Sequence, residues 1–156
     1  MNHAYFSMTN LGLLSKFLGI EISQSDIELN LHQSKYASNI LKKLIMKDFK
    51  PSKTPFLPRV KLEEAQSTAL ENNTLYRKLV SWLLYLPHTQ PDISYAVSVD
   101  SRHMHQPHEI QWRVANRILN FVQGTKTHGI HYVAQSSLEL VGFTKSDWAG
   151  DKNDRK

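Results

Sequence analysis

Strict alternation of apolar and polar residues over positions 17–33 constrains the fold of this chain more than any other feature of its sequence. A polar turn at Ser25 and Asp26 divides the alternation into two runs. The apolar residues of the two runs stand at every second position: Leu18, Ile20, Ile22, Ile27, Leu29 and Leu31. Because successive side chains of a strand point to opposite faces, this pattern predicts a β-hairpin with one buried face.

A helical pattern follows at once, over positions 34–46. Its apolar residues form two adjoining rows: Tyr36, Ile40 and Leu44 in one, and Ala37, Leu41 and Ile45 in the other. The remaining face carries Lys35, Asn39, Lys42 and Lys43. This spacing predicts an amphipathic helix that turns its lysines toward solvent or a ligand.

Prolines mark the limits of the predicted helices in the rest of the chain. Three prolines between positions 48 and 58 predict an extended connection rather than a helix. Positions 74–86 are apolar nearly all round and predict a buried helix that Pro87 ends. Pro91 and Pro107 predict the first turns of two further helices, and Gly124 is a candidate C-terminal stop for the second. Positions 130–133 and 138–143 then predict two paired strands.

Basic residues concentrate in one segment, from Lys35 to Lys61. It holds eight Lys or Arg residues against the single acid Asp48, a local net charge of +7, whereas the whole chain carries +5. Such a segment is typical of a surface that binds polyanions. It is equally typical of a solvated lysine face that keeps a small domain soluble.

Composition excludes several classes of protein. The chain has no cysteine, so disulfides, Cys-ligated zinc, iron–sulfur clusters and thiol nucleophiles are excluded. No apolar run approaches the ~20 residues of a membrane span, and positions 1–10 lack the plan of a secretory signal. We therefore expect a soluble intracellular protein of the cytoplasm or nucleus, with no membrane partner.

No group of residues assembles an active site by spacing alone. His103, His105 and His108 stand close together, but no cysteine joins them and Pro107 breaks the helix that would align them. The sequence therefore predicts no metal site here. A glycine-rich phosphate loop and a nucleophile elbow are both missing from the sequence.

Short blocks distributed over nearly the whole chain carry a family resemblance. They include Phe-Ser-Met-Thr-Asn-Leu-Gly at 6–12, Phe-Leu-Gly-Ile-Glu-Ile at 17–22, Leu-Tyr-Arg-Lys-Leu-Val at 75–80, Pro-Asp-Ile-Ser-Tyr-Ala at 91–96 and Asp-Trp-Ala-Gly at 147–150. In this order, the blocks resemble the C-terminal part of the reverse transcriptase region of copia-type (pseudoviral) LTR retrotransposon Pol polyproteins. The resemblance continues into the start of the RNase H region. Trp82 departs from it, because the family has a small residue there, and this bulky side chain is expected to disturb close helix packing.

The resemblance implies a nucleic-acid partner. The hairpin at 17–33 is similar to the primer grip, which holds the primer terminus, and the helices after it are similar to the thumb and connection. The implied partner is an RNA/DNA primer–template duplex, contacted through phosphates by lysines. The implied binding residues are Gly19, Lys35, Lys42, Lys43 and Lys47. Gly19 would let the backbone approach nucleic acid closely, although a strand bulge would explain a glycine there equally well.

The resemblance also implies that this chain is not catalytic by itself. The polymerase carboxylates of the family end in a Tyr-x-Asp-Asp motif upstream of this segment. In the RNase H block, Lys145 stands where the family has its first metal-binding Asp, and Asp147 lies about 6.6 Å farther along the same strand face. We therefore expect no catalytic residue and no cofactor in this chain, whereas the intact family enzyme would use Mg²⁺.

These observations predict an α+β fold in an incomplete domain: a β-hairpin, a mainly helical thumb and connection portion, and a terminal strand pair. Residues 1–60 would end the reverse transcriptase domain, 61–128 would form the helices, and 129–156 would begin a truncated RNase H domain. We expect an inactive remnant whose strands lack partners and whose exposed edges favour aggregation. The alternatives are a retained nucleic-acid-binding module that uses the Lys35 to Lys61 segment, and an enzyme completed in trans by palm and RNase H segments.

Overall fold

The computed structural model describes residues 12–44, 50–56, 68–134 and 142–144. These residues form four strands and four helices: β1 (Lys16–Phe17), β2 (Ile20–Gln24), β3 (Glu28–His32), α1 (Ser34–Lys43), α2 (Asn73–Leu83), α3 (Ser94–Ser101), α4 (Glu109–Thr125) and β4 (Gly129–Val133). Two 3₁₀ turns, Leu86–His88 and Pro91–Ile93, connect α2 to α3. The α+β prediction is therefore confirmed. Predictions made for Lys47, Lys145, Asp147 and most of 138–143 lie outside the described residues.

The strands form one antiparallel sheet in the order β1-β2-β3-β4. The last strand comes after all the helices, yet it pairs with β3 along its full length, with Leu31 opposite Ile130 and Leu29 opposite Tyr132. A strand at 130–133 is thus confirmed. Its observed partner is the hairpin, whereas the sequence predicted a pair with 138–143. Since β3 has neighbours on both sides, the expectation that the strands would lack partners is wrong for β3.

A tight turn joins β1 to β2. Leu18 and Gly19 both have positive φ, at 46° and 83°, which is the pattern of the two-residue turns that match the twist of a hairpin. A Cβ added at Gly19 would lie 3.3 Å from the Tyr85 hydroxyl oxygen, and that hydroxyl donates a hydrogen bond to the Leu18 carbonyl. Gly19 therefore lies in a turn packed under Tyr85 and not in a strand bulge.

The alternation of side chains between the two faces of the sheet is confirmed, but the predicted burial is not. Ile22 lies opposite Leu31 on one face, and the neighbouring pair Ser23 and Asn30 lies on the other. None of these four residues is buried. The helices bury their own apolar faces against one another instead, so the prediction of a buried hairpin face is wrong.

The core is built from the helices and the segments that join them. Its buried apolar residues are Ala37, Ile40 and Leu41 from α1; Tyr76, Leu79, Val80 and Leu83 from α2; Leu86, Ile93, Ala96 and Val97; and Val114, Ala115, Ile118, Leu119, Phe121 and Val122 from α4. The α1 contribution comes from both predicted apolar rows. Burial of these faces supplies most of the stability, since each fully buried aliphatic side chain contributes about 1.5–3 kcal/mol.

Two helix ends differ from the sequence predictions. Helix α2 ends at Leu83, and Pro87 lies inside the following 3₁₀ turn. A proline disfavours the α conformation in the residue before it, which explains why the α-helix does not continue up to Pro87. The helix is also not buried all round, since Leu75 is 40% exposed. Gly124 lies within α4 and does not end it. A Cβ at Gly124 would come within 3.1 Å of the Pro51 Cβ, so this glycine lets the extended connection pack on the helix.

A buried polar link holds the sheet against the helical core. Gln33, between β3 and α1, is 1% exposed. Its side-chain amide lies 2.9 Å from the Thr89 hydroxyl. When the amide nitrogen is placed on the side of Thr89, it also donates to the Leu86 and Tyr85 carbonyls at 3.2 Å each. Buried amides need such partners, so the position of the hairpin depends on the turn that follows α2.

Candidate nucleic-acid interface

The exposed face of α1 forms a polar stripe. Lys35, Ser38, Asn39 and Lys42 stand at helical spacing and, together with Ser34 and Glu21, line a shallow open depression. Ammonium, hydroxyl and amide groups are the side-chain donors that proteins use for phosphate oxygens. The sequence prediction that α1 carries its lysines on a solvent-facing side is confirmed. We call this set the α1 polar stripe.

Glu21 lies beside this stripe and engages Lys35. One carboxylate oxygen accepts a hydrogen bond from the Lys35 backbone N–H at 2.8 Å, and the other lies 3.2 Å from the Lys35 ammonium. Burial alone would raise the pKa of Glu21, but the hydrogen bonds and charge of Lys35, with His32 3.7 Å away, hold the pKa below its usual value. The Glu21 carboxylate therefore neutralises the charge of Lys35. It also lies against the first turn of α1, where the helix dipole favours an anion.

Trp82 lies between two lysines on the adjoining helix surface. The ammonium nitrogens of Lys43 and Lys78 each lie 5.4 Å from the centre of the Trp82 ring, within the range of cation–π attraction. The Trp82 side chain is only partly buried and packs against the edge of the helical core. Its pairing with Lys78 follows from the i, i+4 spacing on α2. Its contact with Lys43 requires the packing of α1 on α2, and sequence reasoning missed it.

The structure brings together only some of the residues predicted to bind nucleic acid. Lys35 and Lys42 lie on the α1 polar stripe, while Lys43 turns to Trp82. Gly19 lies at the β1–β2 turn against Tyr85. Lys47 is outside the described residues.

The histidine-rich loop after α3 is organised by an arginine. The Arg77 side chain donates to the carbonyls of Met104 and His105 at 2.8 and 2.9 Å. Within the described residues, no three His or acidic side chains come together as a potential metal site. The Arg77 side chain therefore holds the backbone of this loop against α2.

Two ionisable groups of the described residues, Asp100 and Tyr76, are fully buried away from this surface. Asp100 in α3 is 0% exposed, and neither of its carboxyl oxygens has a hydrogen-bond partner within the described part of the chain. Burial raises the pKa of Asp100 to about 7, against a smaller opposing effect of the Tyr76 hydroxyl. The Tyr76 hydroxyl itself donates to the Asp100 backbone carbonyl at 2.8 Å. Burial likewise raises the pKa of Tyr76.

Comparisons with known proteins place the chain in a family. Residues 1–58 match a family described as reverse transcriptase (RNA-dependent DNA polymerase). The chain is 40% identical over 149 residues to the Pol polyprotein of transposon RE1 from Arabidopsis thaliana, which covers 96% of this chain and 10% of the polyprotein. It is 32% identical over 160 residues to the Pol polyprotein of transposon TNT 1-94 from Nicotiana tabacum, covering 97% of this chain and 12% of the polyprotein. It is also 41% identical over 152 residues to an uncharacterised mitochondrial protein of Arabidopsis thaliana, covering 97% of this chain and 62% of that protein.

These matches define a reverse-transcriptase-related protein. More narrowly, the chain belongs to the copia-type transposon Pol family, as a reverse-transcriptase-like segment of such a polyprotein. It spans about a tenth of the length of the Pol polyproteins that it matches. No solved structure matches it. None of the helices in the described part of the chain is long and apolar enough to cross a membrane.

Proposed function

We propose that this chain contacts a primer–template duplex through the α1 polar stripe and the neighbouring Lys43, Trp82 and Lys78 cluster. The observation that carries the proposal is this surface, where cationic and neutral donors from two packed helices lie side by side. Lysine contacts to phosphates are independent of base sequence, which suits a protein that must follow any template.

The proposed role is to hold the duplex rather than to extend or cut it. Phosphoryl transfer with two metal ions needs clustered carboxylates. The family resemblance implies that the polymerase carboxylates and their Mg²⁺ belong to a segment preceding this one. Asp100 is no substitute for them, since it is enclosed in the core beside Tyr76.

Substitution of three α1 lysines by glutamine is expected to weaken binding to an RNA/DNA hybrid duplex. In the variant with Lys35, Lys42 and Lys43 changed, each lysine–phosphate interaction that is removed should lower the affinity about tenfold near 0.1 M salt and flatten the slope of log K against log salt by about 0.9. Fluorescence anisotropy with a labelled hybrid over a range of salt concentrations measures both quantities. Because Lys35 is already paired with Glu21, most of the decrease should come from Lys42 and Lys43.

A charge-matched variant controls for the general effect of net charge. It carries glutamine at Lys16, Arg113 and Lys126, which are exposed and lie outside the Lys35 to Lys61 segment. This variant should keep most of the affinity and the salt slope. If the two triple variants lose affinity equally, or if the α1 variant binds as well as the parent chain, the proposed interface is wrong.

Replacing Glu21 by glutamine is expected to strengthen duplex binding severalfold. Glutamine can still accept the Lys35 backbone N–H, but it releases the Lys35 ammonium for a phosphate. The salt slope should therefore steepen by about one phosphate interaction. The same anisotropy titration measures this change.

Glu28→Gln is the control for Glu21→Gln. Glu28 lies on the same face of the sheet, and its carboxylate is 2.9 Å from His131 at the β3–β4 pair. The Glu28 substitution removes the same charge without freeing a lysine. Equal gains in affinity from both variants would show a general charge effect and no specific control of Lys35.

A second candidate is a nucleic-acid-binding module that works without a polymerase. The observation that favours it is the pairing of β3 with β4, which joins the N-terminal strands and the last described strand in one sheet. This candidate requires the chain alone to unfold cooperatively and to bind the hybrid. Binding seen only after a preceding reverse transcriptase segment is added would argue against it.

A further inference from the structure

Residues 50–56 form a segment that lies along α4 and contains no helix or strand. It runs in the opposite direction to the helix. Pro51 packs where a Cβ on Gly124 would stand, and the Ser52 backbone N–H donates to the Asn120 carbonyl at 3.1 Å. Because the segment lies on the outside of α4, it can open locally while the helices stay folded.

Thr54 is exposed on this segment and is followed by Pro55. The two residues form the only Ser-Pro or Thr-Pro dipeptide of the sequence. A proline favours an extended backbone in the residue before it. Proline-directed protein kinases bind their substrates as extended segments with a proline directly after the phosphorylated residue. The segment therefore presents the Thr54 hydroxyl in the form that such a kinase requires.

The Thr54 hydroxyl oxygen accepts a hydrogen bond from Arg117 in α4. The donor is Nη2, at 2.9 Å. The Nε atom lies on the same edge of the planar guanidinium group, is buried, and has no hydrogen-bond partner among the described residues. Buried donors without a partner are uncommon. The edge that faces Thr54 thus has a second donor available, and two parallel N–H groups of arginine match two oxygens of a phosphate.

The charges near Thr54 also favour an anion. Two exposed lysines, Lys50 and Lys53, lie in the same segment, which contains no acidic residue. The one acid of α4 is Glu109, which begins the helix and is paired with Arg113 at 3.7 Å. A phosphate on Thr54 would therefore lie among cations.

We propose that Thr54 is a phosphorylation site for a proline-directed protein kinase, and that Arg117 binds the phosphate through Nε and Nη2. The Thr54 oxygen forms a bond to the γ-phosphorus of ATP while the bond from that phosphorus to the β–γ bridging oxygen breaks. ADP leaves, and the hydroxyl proton passes to a base of the kinase. Two hydrogen bonds to a phosphate then replace one to a hydroxyl, so phosphorylation fastens the segment on α4. This proposal does not depend on duplex binding.

The first test is treatment of the folded full chain with a purified mitogen-activated protein kinase and ATP. Peptide mass spectrometry should find a single phosphate, at Thr54. Thr54→Val should stay unmodified, and Pro55→Ala should be modified about tenfold more slowly. Ser52→Ala is the matched control, since it removes the neighbouring hydroxyl and should be modified like the parent chain. An unmodified Thr54, or equal modification of other residues, would overturn the proposal.

The second test follows the titration of the phosphate by ³¹P NMR. The second pKa of phosphothreonine is about 6, and an adjacent guanidinium lowers it. The phosphate on the folded chain should therefore titrate at lower pH than it does in the phosphorylated peptide of residues 50–56. Arg117→Gln should remove most of this difference, whereas Arg113→Gln, one turn earlier on α4, should keep it.

Circular dichroism checks that both arginine variants fold, and the comparison of the parent chain with the peptide needs no variant. If the phosphate titrates alike on the folded chain and on the peptide, Arg117 does not bind it and the proposal is wrong. Equal effects of the two arginine substitutions would likewise contradict the assignment of Arg117.

Discussion

Replacing Asp100 by asparagine is expected to make the protein about 4 kcal/mol more stable than the parent chain at pH 8, and to leave the two equal near pH 4. The Asp100 side chain is fully enclosed, and burial raises its pKa from 3.8 to about 7. The ionised carboxylate of Asp100 is less stable in this apolar site than in water, so its ionisation favours the unfolded chain. Asparagine has nearly the same shape as the neutral acid and never ionises.

The direction of the pH dependence follows from proton binding. Between about pH 4 and pH 7, the folded state holds a proton on Asp100 that the unfolded state has lost. Stability falls with rising pH wherever the folded state binds more protons. The contribution of Asp100 is thus fully present below pH 4 and is lost as the pH rises through 7. The asparagine variant should not show this loss.

Urea unfolding followed by circular dichroism at several pH values from 4 to 8 measures the difference between the two proteins. All other titrating groups are shared, so their effects cancel in the difference. Asp26→Asn, at the exposed β2–β3 turn, is the control and should follow the parent chain at every pH. Parallel profiles for the parent and the Asp100 variant would show that the carboxyl group is not held in its neutral form.

Local features of the fold could be predicted from the sequence. The hairpin turn at Ser25 forms as predicted, because the serine hydroxyl accepts the backbone N–H groups of Ile27 and Glu28. Helix α1 and the helical stretches after Pro91 and Pro107 also form, since their signals are periodicity and capping within a few residues. The partner of β4 could not be predicted in this way. Its pairing with β3 joins positions about a hundred apart in the chain, and alternation says nothing about which strand lies alongside.

In the candidate site too, local features could be predicted from the sequence, whereas contacts between distant segments could not. The lysines of the α1 polar stripe were identified from their helical face alone. The neutralisation of Lys35 by Glu21 was missed because it depends on how β2 lies across the first turn of α1. Trp82 was interpreted as a packing problem, since the sequence does not reveal that Lys43 on another helix reaches its ring. Charge patterns thus locate the surface, while tertiary contacts decide which cations are available.

The pairing of β3 with β4 changes what is expected of the chain in solution. An isolated hairpin would be marginal at best, but here β3 is enclosed between β2 and β4. The helices bury a shared core of their own. The remaining liability is the sheet face that carries the exposed side chains of Phe17 and Tyr132, and not a row of unpaired strands. Solubility should therefore respond to lysine at Tyr132 more than to lysine at Val133, which lies on the opposite face.

Gln33→Met is expected to destabilise the protein by about 2–4 kcal/mol. Methionine fills a similar volume, but it leaves the Thr89 hydroxyl and the Leu86 and Tyr85 carbonyls without the amide that they face in a site only 1% exposed. Thr89→Val should cost less, and the double variant should cost less than the two single changes together, because both remove the same contact. Urea unfolding of the four proteins measures this coupling.

Gln24→Met, at an exposed position of β2, should stay within about 0.5 kcal/mol of the parent chain. A similarly small effect at Gln33, or additive costs at Gln33 and Thr89, would mean that the sheet is held to the core by its chain connection alone.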